Sequence, residues 1–227
     1  MFAFPFTKTN TMKFFLSISF LLFHIMSWAQ SKSFVPLDYE YPPAILHSPK
    51  TFVFKNAVTS ELSFKDILLV QKPDSVIVIW KEYGGAPLID SCVEVNDKGK
   101  EHYLIINGNM TKAIIIEDSL YDNGSKLGEK KQSLYFNINS SLTFSAAIRS
   151  SFLKDTSIIW KGEPVPCLVI RSDSKLIFSN PQNAAQQRED IFKTLYYFGK
   201  NVGLIKYSSE RNGKFDLWEL QEIRNLK

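Results

Sequence analysis

Histidine and cysteine are scarce in this chain, and their scarcity limits the chemistry that it can support. The 227 residues include three histidines and two cysteines, with no HExxH, no CxxC, no ligand pair at zinc spacing and no Asp-x-Asp-x-Asp loop. Structural zinc and calcium sites depend on such spacings. GxSxG, the motif of a strained nucleophile turn, is absent as well. The sequence therefore predicts no catalytic residue, no metal and no cofactor, and we expect a protein that is not an enzyme.

Clusters of like charge are also missing. The chain has 27 Lys and Arg against 23 Asp and Glu, a formal net charge of +4 at pH 7, and no block of like charge reaches five residues. Proteins that bind nucleic acid usually carry grouped Lys and Arg on one face or along one segment. We therefore expect no nucleic-acid partner.

The one long apolar run lies near the N-terminus and is typical of a secretory signal. In Met12–Ala29 a positive residue, Lys13, precedes the apolar segment Phe14–Ile25, and the small residues Ser27 and Ala29 follow. This arrangement predicts translation from Met12, cleavage after Ala29 and export to the periplasm or the extracellular space. Cysteine is absent from the cleavage region, so we expect no lipid attachment there.

A membrane anchor is the alternative interpretation of the same segment. A spanning helix needs about 20 consecutive apolar residues, whereas this run is shorter and is interrupted by Ser17, Ser19 and His24. We therefore expect no membrane span in the mature chain. The domain plan is a signal peptide at 1–29, a lead-in rich in proline and aromatic residues at 30–50, and a single antiparallel β domain at 51–227.

The two cysteines, Cys92 and Cys167, admit two interpretations. In an oxidising compartment they could form a disulfide, which would stabilise the fold by roughly 4 kcal/mol in the chain-entropy model. Each also lies in an apolar, strand-like run, and free cysteine is among the residues most often buried. A disulfide and two buried free thiols both remain open.

Most of the chain after the lead-in reads as short strands. In the lead-in itself, the consecutive prolines Pro42 and Pro43 favour an extended path across the surface or along an edge. Runs rich in β-branched and aromatic residues then alternate with turn residues, a pattern typical of antiparallel sheets, sandwiches or barrels. The runs are Thr51–Phe54, Asp74–Tyr83, Leu88–Val95, Glu101–Ile106, Lys112–Glu117, Ser133–Asn137, Leu142–Ile148, Ser157–Trp160, Cys167–Arg171, Leu204–Tyr207 and Phe215–Ile223.

Two hairpins and one helix follow from local signals. Leu88–Val95 and Glu101–Ile106 flank a loop that contains Gly99, and the last two runs flank Asn212 and Gly213, so each pair is expected to be antiparallel. A helix is expected between Pro181 and Lys193, because Asn180 could cap it and Pro181 suits its first position. A polar ordered loop is the alternative there.

The C-terminal third carries the most specific pattern. Trp160–Ile170 reads WKGEPVPCLVI and Tyr196–Tyr207 reads YYFGKNVGLIKY. This order resembles the periplasmic LolA-like or TapB-like proteins. The resemblance implies a mainly β fold, a curved antiparallel sheet forming an incomplete or half β-barrel, with at most one or two short helices. Gly203 is expected at a bend or bulge of that sheet.

The resemblance also implies a concave apolar face, which in some relatives holds acyl chains or amphiphilic partners. Aromatic residues form 14% of the chain, and most of them are expected in the core. The candidates for lining a ligand groove are Trp80, Tyr83, Tyr103, Trp160, Tyr197, Phe198, Tyr207 and Trp218.

We therefore expect an exported, non-catalytic binding or carrier protein with an apolar groove for a hydrophobic or amphiphilic small molecule. One alternative is a structural or accessory subunit of a cell-envelope assembly, with an envelope protein as its partner. The less favoured alternative is a secreted hydrolase, which would need His47 or His102 to meet a serine or carboxylate in a cleft.

Overall fold

The computed structural model describes residues 35–40, 42–72, 75–83, 89–96, 99–106, 109–121, 128–139, 142–180, 182–211 and 213–226. The expected signal peptide and its cleavage site lie outside these residues. The side chains of Trp80, Tyr83, Cys92 and His102 lie outside them too, although their backbones belong to strands.

The described part of the chain consists almost entirely of strands, with two helices of a single turn. The helices are α1 (Leu37–Glu40) and α2 (Pro43–Leu46). The strands are β1 (Lys50–Asn56), β2 (Leu62–Gln71), β3 (Ser75–Tyr83), β4 (Ile89–Asn96), β5 (Gly99–Ile106), β6 (Asn109–Lys112), β7 (Ile114–Tyr121), β8 (Glu129–Asn139), β9 (Leu142–Trp160), β10 (Glu163–Asn180), β11 (Asn183–Gly199), β12 (Gly203–Arg211) and β13 (Lys214–Asn225). No helix of the described residues is both long and apolar enough to cross a membrane.

All these strands belong to one antiparallel sheet, in the order β6-β5-β4-β3-β2-β1-β13-β12-β11-β10-β9-β8-β7. The order begins with β6 and ends with β7, so the sheet is open. In the chain, however, only Ala113 separates these two edge strands. The sheet must therefore curl until its two edges meet at Ala113, which is buried. The expected mainly β, curved and incompletely closed antiparallel sheet is confirmed.

The hairpins expected from turn signals are present. β4 pairs with β5, and β12 pairs with β13, both antiparallel. Gly213, in the β12–β13 turn, has φ +80°, a backbone conformation that glycine adopts without steric cost. Lys161 and Gly162 connect β9 to β10 with φ values of 52° and 84°, as a two-residue hairpin turn requires.

The expected helix between Pro181 and Lys193 is wrong, because residues 183–193 belong to strand β11. β11 pairs with β10 along one side and with β12 along the other. Asn180 does not cap a helix; its Oδ1 instead accepts a hydrogen bond from the backbone N–H of Gln182 at 2.9 Å. Pairing with β10, joined from Phe192 onward by pairing with β12, outweighs the weak local helix preference of this segment.

The expected extended lead-in is also corrected in its described part. Pro42 has extended dihedrals (φ −64°, ψ 114°), as its proline ring favours, but Pro43 begins the single turn α2. Nor does the segment lie on the surface alone, since Val35 and Leu46 are 5% and 1% exposed. It packs its apolar side chains into the core.

Several strands differ from the expected runs, β9 and β2 most clearly. The runs Leu142–Ile148 and Ser157–Trp160 are the two ends of the 19-residue strand β9. β2 was not expected, because polar residues such as Lys65 and Asp66 interrupt its apolar pattern. Its pairing with β1 and β3 supplies the stabilisation that its own sequence does not show.

The core is divided into three clusters of buried side chains. The first contains Leu46, Phe52, Phe54, Val165, Cys167, Val202, Ile205 and Leu220. The second joins Val35 to Leu168 and Ile170, and the third contains Ala113, Leu134, Phe136 and Ala146. Residues of the lead-in thus complete the first two clusters, and the junction of the sheet edges belongs to the third.

Gly203 and Gly199 flank the β11–β12 turn and are required for different reasons. Gly203 has φ +92°, while a Cβ built there would come no closer than 3.4 Å to Pro42. Its backbone conformation, and not a steric clash, therefore favours glycine. The β11–β12 register shifts between Tyr197 and Phe198, near the bend expected at Gly203. A Cβ on Gly199 would collide with the Ile205 side chain and lie 3.0 Å from Val165 Cγ1.

Gly199→Ala is expected to lower the free energy of unfolding by about 1–3 kcal/mol, because the new methyl group overpacks a buried site. Urea unfolding of the single variant, of Ile205→Ala and of the double variant gives the measurement. Ile205→Ala removes the colliding atoms. The double variant should therefore lose less free energy of unfolding than the two single losses added together, by at least about 1 kcal/mol. Additive effects would show that the two residues do not clash.

Candidate ligand-binding groove

Three of the predicted groove residues lie in an aromatic cluster across β11, β12 and β13. The rings of Tyr207 and Trp218 are stacked, with centroids 6.2 Å apart and an interplanar angle of 13°. Phe54 meets Tyr207 edge-on at 5.6 Å, and Tyr196 lies over Phe198 at 5.8 Å. These contacts are typical of aromatic packing in a sheet.

The chain itself covers this aromatic cluster. The Lys65 ammonium lies 4.7 Å from the centroid of Tyr207, a distance at which a cation is attracted by the face of a ring. Val35 belongs to the same buried cluster as Leu168 and Ile170, with Tyr39 and Phe198 packed against it. Phe198, Tyr207 and Trp218 thus contact neighbouring side chains of this protein, and their role as ligand contacts stays a prediction.

Tyr103 lies apart from the other predicted residues. It belongs to β5, which is adjacent in the sheet to neither β9 nor β11, and it is not in the lining of the groove that Trp160 and Tyr197 share. Its hydroxyl donates a hydrogen bond to Glu101 Oε2 at 2.7 Å, and Lys112 lies 6.0 Å from its ring centroid. Tyr103 therefore does not share a site with Trp160 or Tyr197.

Trp160 and Tyr197 line one groove of about 470 Å³, which we name the Trp160 groove. β9 forms one wall, and β11, β12 and β13 contribute the rest of the lining. The lining residues are Lys154, Thr156, Ile158, Ile159, Trp160, Lys161, Tyr197, Ile205, Lys206, Glu219, Leu220 and Gln221. The volume falls in the range of about 300–1,000 Å³ in which small-molecule sites are found.

The strand register places the residues of the Trp160 groove in order. Lys154, Val169, Tyr197, Lys206 and Glu219 face one another in succession across β9 to β13. Residues directly opposite each other on neighbouring strands share a face of the sheet. One row therefore carries two lysines, a tyrosine and a carboxylate.

Farther along β9 the wall of the Trp160 groove becomes apolar. Thr156 and Ile158 lie opposite Cys167 and Val165 of β10. Both β10 residues are buried, as is Val169 at 1% exposure, and the groove is lined by the strands on either side of β10. A polar row thus leads into a segment walled by Ile158 and Trp160.

The charges at the Trp160 groove are unequally compensated. Lys206 Nζ lies 2.8 Å from Glu219 Oε1, and the Lys161 ammonium lies 4.8 Å from the ring centroid of Trp160. Lys154 is exposed and makes no ion pair or hydrogen bond among the described residues. Lys154 is thus the uncompensated cation of the polar row.

The indole of Trp160 carries an unusual feature. Its Nε1–H is buried and has no hydrogen-bond partner among the described residues. An unsatisfied buried donor costs about 1–3 kcal/mol. The fold tolerates this cost at a residue that lines the groove.

Cys167 lies beneath the Trp160 groove as a free thiol. It is 2% exposed, and its Sγ–H donates a hydrogen bond to the carbonyl of Val165 at 3.3 Å. Burial raises the pKa of this thiol. A free, buried thiol is what the second interpretation of the cysteines expects, while the side chain of Cys92 lies outside the described residues.

A second groove, of about 480 Å³, lies on β8, β9, β10 and β11. Its cations are mostly engaged: Arg149 pairs with Glu129 at 2.9 Å, Arg171 with Asp173 at 2.9 Å and Lys175 with Glu189 at 2.8 Å. The hydrogen bond from Arg149 holds the pKa of Glu129 below its usual value. This groove resembles the Trp160 groove in size but has no tryptophan or tyrosine in its lining.

No catalytic or metal constellation is found in the described residues. They contain no group of three or more His, Cys, Asp and Glu side chains that could hold a metal ion. His47 is exposed at the C-terminal end of α2. The expectation that the chain is not an enzyme stays a prediction.

No family model and no curated protein matches this chain. Among solved structures, it is similar to a proposed lipoprotein from Parabacteroides distasonis ATCC 8503, with 15% identity over 78% of this chain and 95% of that one, at a TM-score of 0.45. It is also similar to a proposed exported protein with a YmcC-like fold from Bacteroides fragilis NCTC 9343, with 9% identity, the same 78% and 95% coverage and a TM-score of 0.44. Likenesses at these scores assign neither a fold family nor a function, and the LolA-like resemblance stays a prediction.

Proposed function

We propose that the protein is an exported, non-catalytic binding or carrier protein whose Trp160 groove takes the apolar part of an amphiphilic small molecule. The observation that carries this proposal is the groove itself, in which a polar row opens onto a wall of Ile158 and Trp160. The lining of the groove is part polar and part apolar, a combination that matches a ligand with a polar head group and an apolar tail.

Exposed apolar surface at the Trp160 groove supports the same conclusion. Ile158 and Trp160 line the groove and are only partly buried. Burial of apolar surface contributes roughly 25 cal/mol per Å². A ligand tail that covers Ile158 and Trp160 would therefore gain free energy that the unliganded chain does not.

The sequence supports export. Met12–Ala29 has the charged start, apolar centre and small residues of a secretory signal. Protein recovered from the exported fraction should accordingly have the intact mass of a chain that begins at Gln30. An intact mass that includes Met12–Ala29 would contradict cleavage.

The groove is tested by filling it. Thr156→Trp adds bulk to the Trp160 groove and is expected to weaken the binding of a fluorescent acyl probe by at least about tenfold, because the indole occupies the place of the tail. Fluorescence titration of the delipidated, exported protein gives the affinity, and urea unfolding checks that each variant folds.

The matched control is Ala147→Trp, which places the same side chain in the second groove, of nearly equal volume. Ala147 is exposed, so this variant should bind the probe like the unmodified protein. Equal losses in both variants, or no saturable binding to the unmodified protein, would refute the proposal.

A subunit of a cell-envelope assembly is the second candidate. It is favoured by Ile114, which is 55% exposed at the start of the edge strand β7. Exposed edge strands readily pair with a further chain. The probe titration separates the two candidates, since an assembly subunit without a ligand would show no saturable binding.

A further inference from the structure

We propose that the ligand is a single-chain amphiphile with a carboxylate head group, and that Lys154 and Tyr197 bind this head group. This inference rests on the proposed function and specifies the chemistry of the same groove. It commits to a fatty-acid anion whose tail runs along β9 from Lys154 towards Trp160.

The charges of the polar row select the sign of the head group. Lys154 has no ionic partner among the described residues, while Lys206, farther along the same row, is compensated by Glu219 at 2.8 Å. Asp155, the neighbour of Lys154, lies opposite Leu168 and therefore on the other face of the sheet. The row thus presents one net positive charge, which complements an anion and disfavours a cation.

Tyr197 supplies a donor next to that charge. It stands two strands from Lys154 in the same row, with Val169 between them, which corresponds to roughly 10 Å between backbones. Its hydroxyl makes no hydrogen bond among the described residues. A carboxylate held in the groove between the Lys154 ammonium and the Tyr197 hydroxyl, both in its lining, can accept from both, and charge-assisted hydrogen bonds of this kind are stronger than neutral ones.

The direction of the tail follows from the order of side chains on β9. Thr156, Ile158 and Trp160 succeed Lys154 on the same wall of the groove, and the distance along the strand from Lys154 to Trp160 is roughly 20 Å. At the far end the Lys161 ammonium is held over the Trp160 ring. The length suits one extended acyl chain, and the volume of about 470 Å³ is small for a lipid with two.

The test compares three dodecyl compounds below their micellar concentrations, each displacing the fluorescent acyl probe from the exported protein. The concentration of dodecanoate that displaces the probe is expected to be at least about tenfold lower than that of dodecyltrimethylammonium. The concentration of dodecanol that is needed should lie between these two values. Lys154→Met should remove most of the preference for dodecanoate and leave displacement by dodecanol unchanged. Tyr197→Phe should reduce the preference by about threefold.

Lys161→Met is the matched control, because it removes a lysine from the other end of the same groove. It should keep the preference for dodecanoate. Loss of the preference in Lys161→Met and not in Lys154→Met would overturn the assigned direction. Equal displacement by all three compounds would overturn the head-group inference while the groove proposal stands, whereas a protein that does not bind the probe would overturn both.

Discussion

Replacing Phe54 by alanine is expected to lower the free energy of unfolding by about 3–5 kcal/mol, the range for large-to-small changes of buried phenylalanine. Phe54 is 1% exposed, belongs to the largest buried cluster and meets the ring of Tyr207 edge-on. Alanine would leave a cavity between β1 and β12 and would remove that ring contact. The shift of the urea midpoint, with the slope of the transition checked for constancy, measures the effect.

Phe215→Ala is the matched control for Phe54→Ala. Phe215 lies on β13, the strand that pairs with β1, but it is 58% exposed. Its replacement should change the free energy of unfolding by less than about 0.5 kcal/mol. Similar effects of the two substitutions would contradict the assignment of Phe54 to the core and of Phe215 to the surface.

Native Cys167 is expected to react with an aromatic disulfide reagent at least about 1,000-fold more slowly than the same thiol in the unfolded chain. The reagent needs both access and a thiolate, whereas Cys167 is 2% exposed and burial raises its pKa. A central strand becomes exposed only when the sheet opens around it. The free energy of such an opening approaches that of global unfolding, which is about 5–15 kcal/mol for typical domains. Protection should persist at pH 9, where a thiol with the ordinary pKa of 9.0 is half ionised.

The labelling experiment uses Cys92→Ser, so that Cys167 is the remaining thiol. In the control, Ser157→Cys is introduced with both native cysteines replaced by serine. Ser157 is exposed and lies on β9 opposite Pro166, the residue before Cys167, so the control thiol should react at nearly the unfolded rate. Rapid native labelling of Cys167 would contradict its burial beneath the Trp160 groove.

The raised pKa also gives the sign of a stability effect. Because the folded protein favours the protonated thiol of Cys167, the stability that this group contributes is fully present below the ordinary thiol pKa. It is lost as the pH rises through the folded pKa. Moderately alkaline solution should therefore weaken the fold through Cys167, and Cys167→Ala should not show this component.

Local signals were sufficient for several elements of the fold. The β4–β5 and β12–β13 hairpins could be predicted because a glycine turn lies between two apolar runs, and both properties are visible within about 20 residues. The same local reasoning failed at β11, where Asn180 and Pro181 suggested a helix start. The partner that makes this segment a strand, β10, is specified elsewhere in the chain.

The candidate groove was only partly predictable. Aromatic content singled out Trp160 and Tyr197, but it equally singled out Phe198, Tyr207 and Trp218, which the chain covers with its own side chains. Tyr197 and Phe198 are adjacent, so strand alternation sends them to opposite faces of β11. Sequence alone does not tell which face is covered, because that depends on where the lead-in and Lys65 pack. Lys154 was missed, since a lysine in a strand normally indicates a solvated face.

The sequence by itself determined a mainly β chain with glycine turns and few groups capable of metal or nucleophilic chemistry, and it predicted a secretory signal. These properties follow from residue types and from contacts between near neighbours. Only the tertiary structure decided that the edges of the sheet meet at Ala113, that residues 35–46 complete the core, and that Lys154, Tyr197 and Trp160 share one groove. Each of these depends on strand register and curvature, which arise from pairings between residues far apart in the chain.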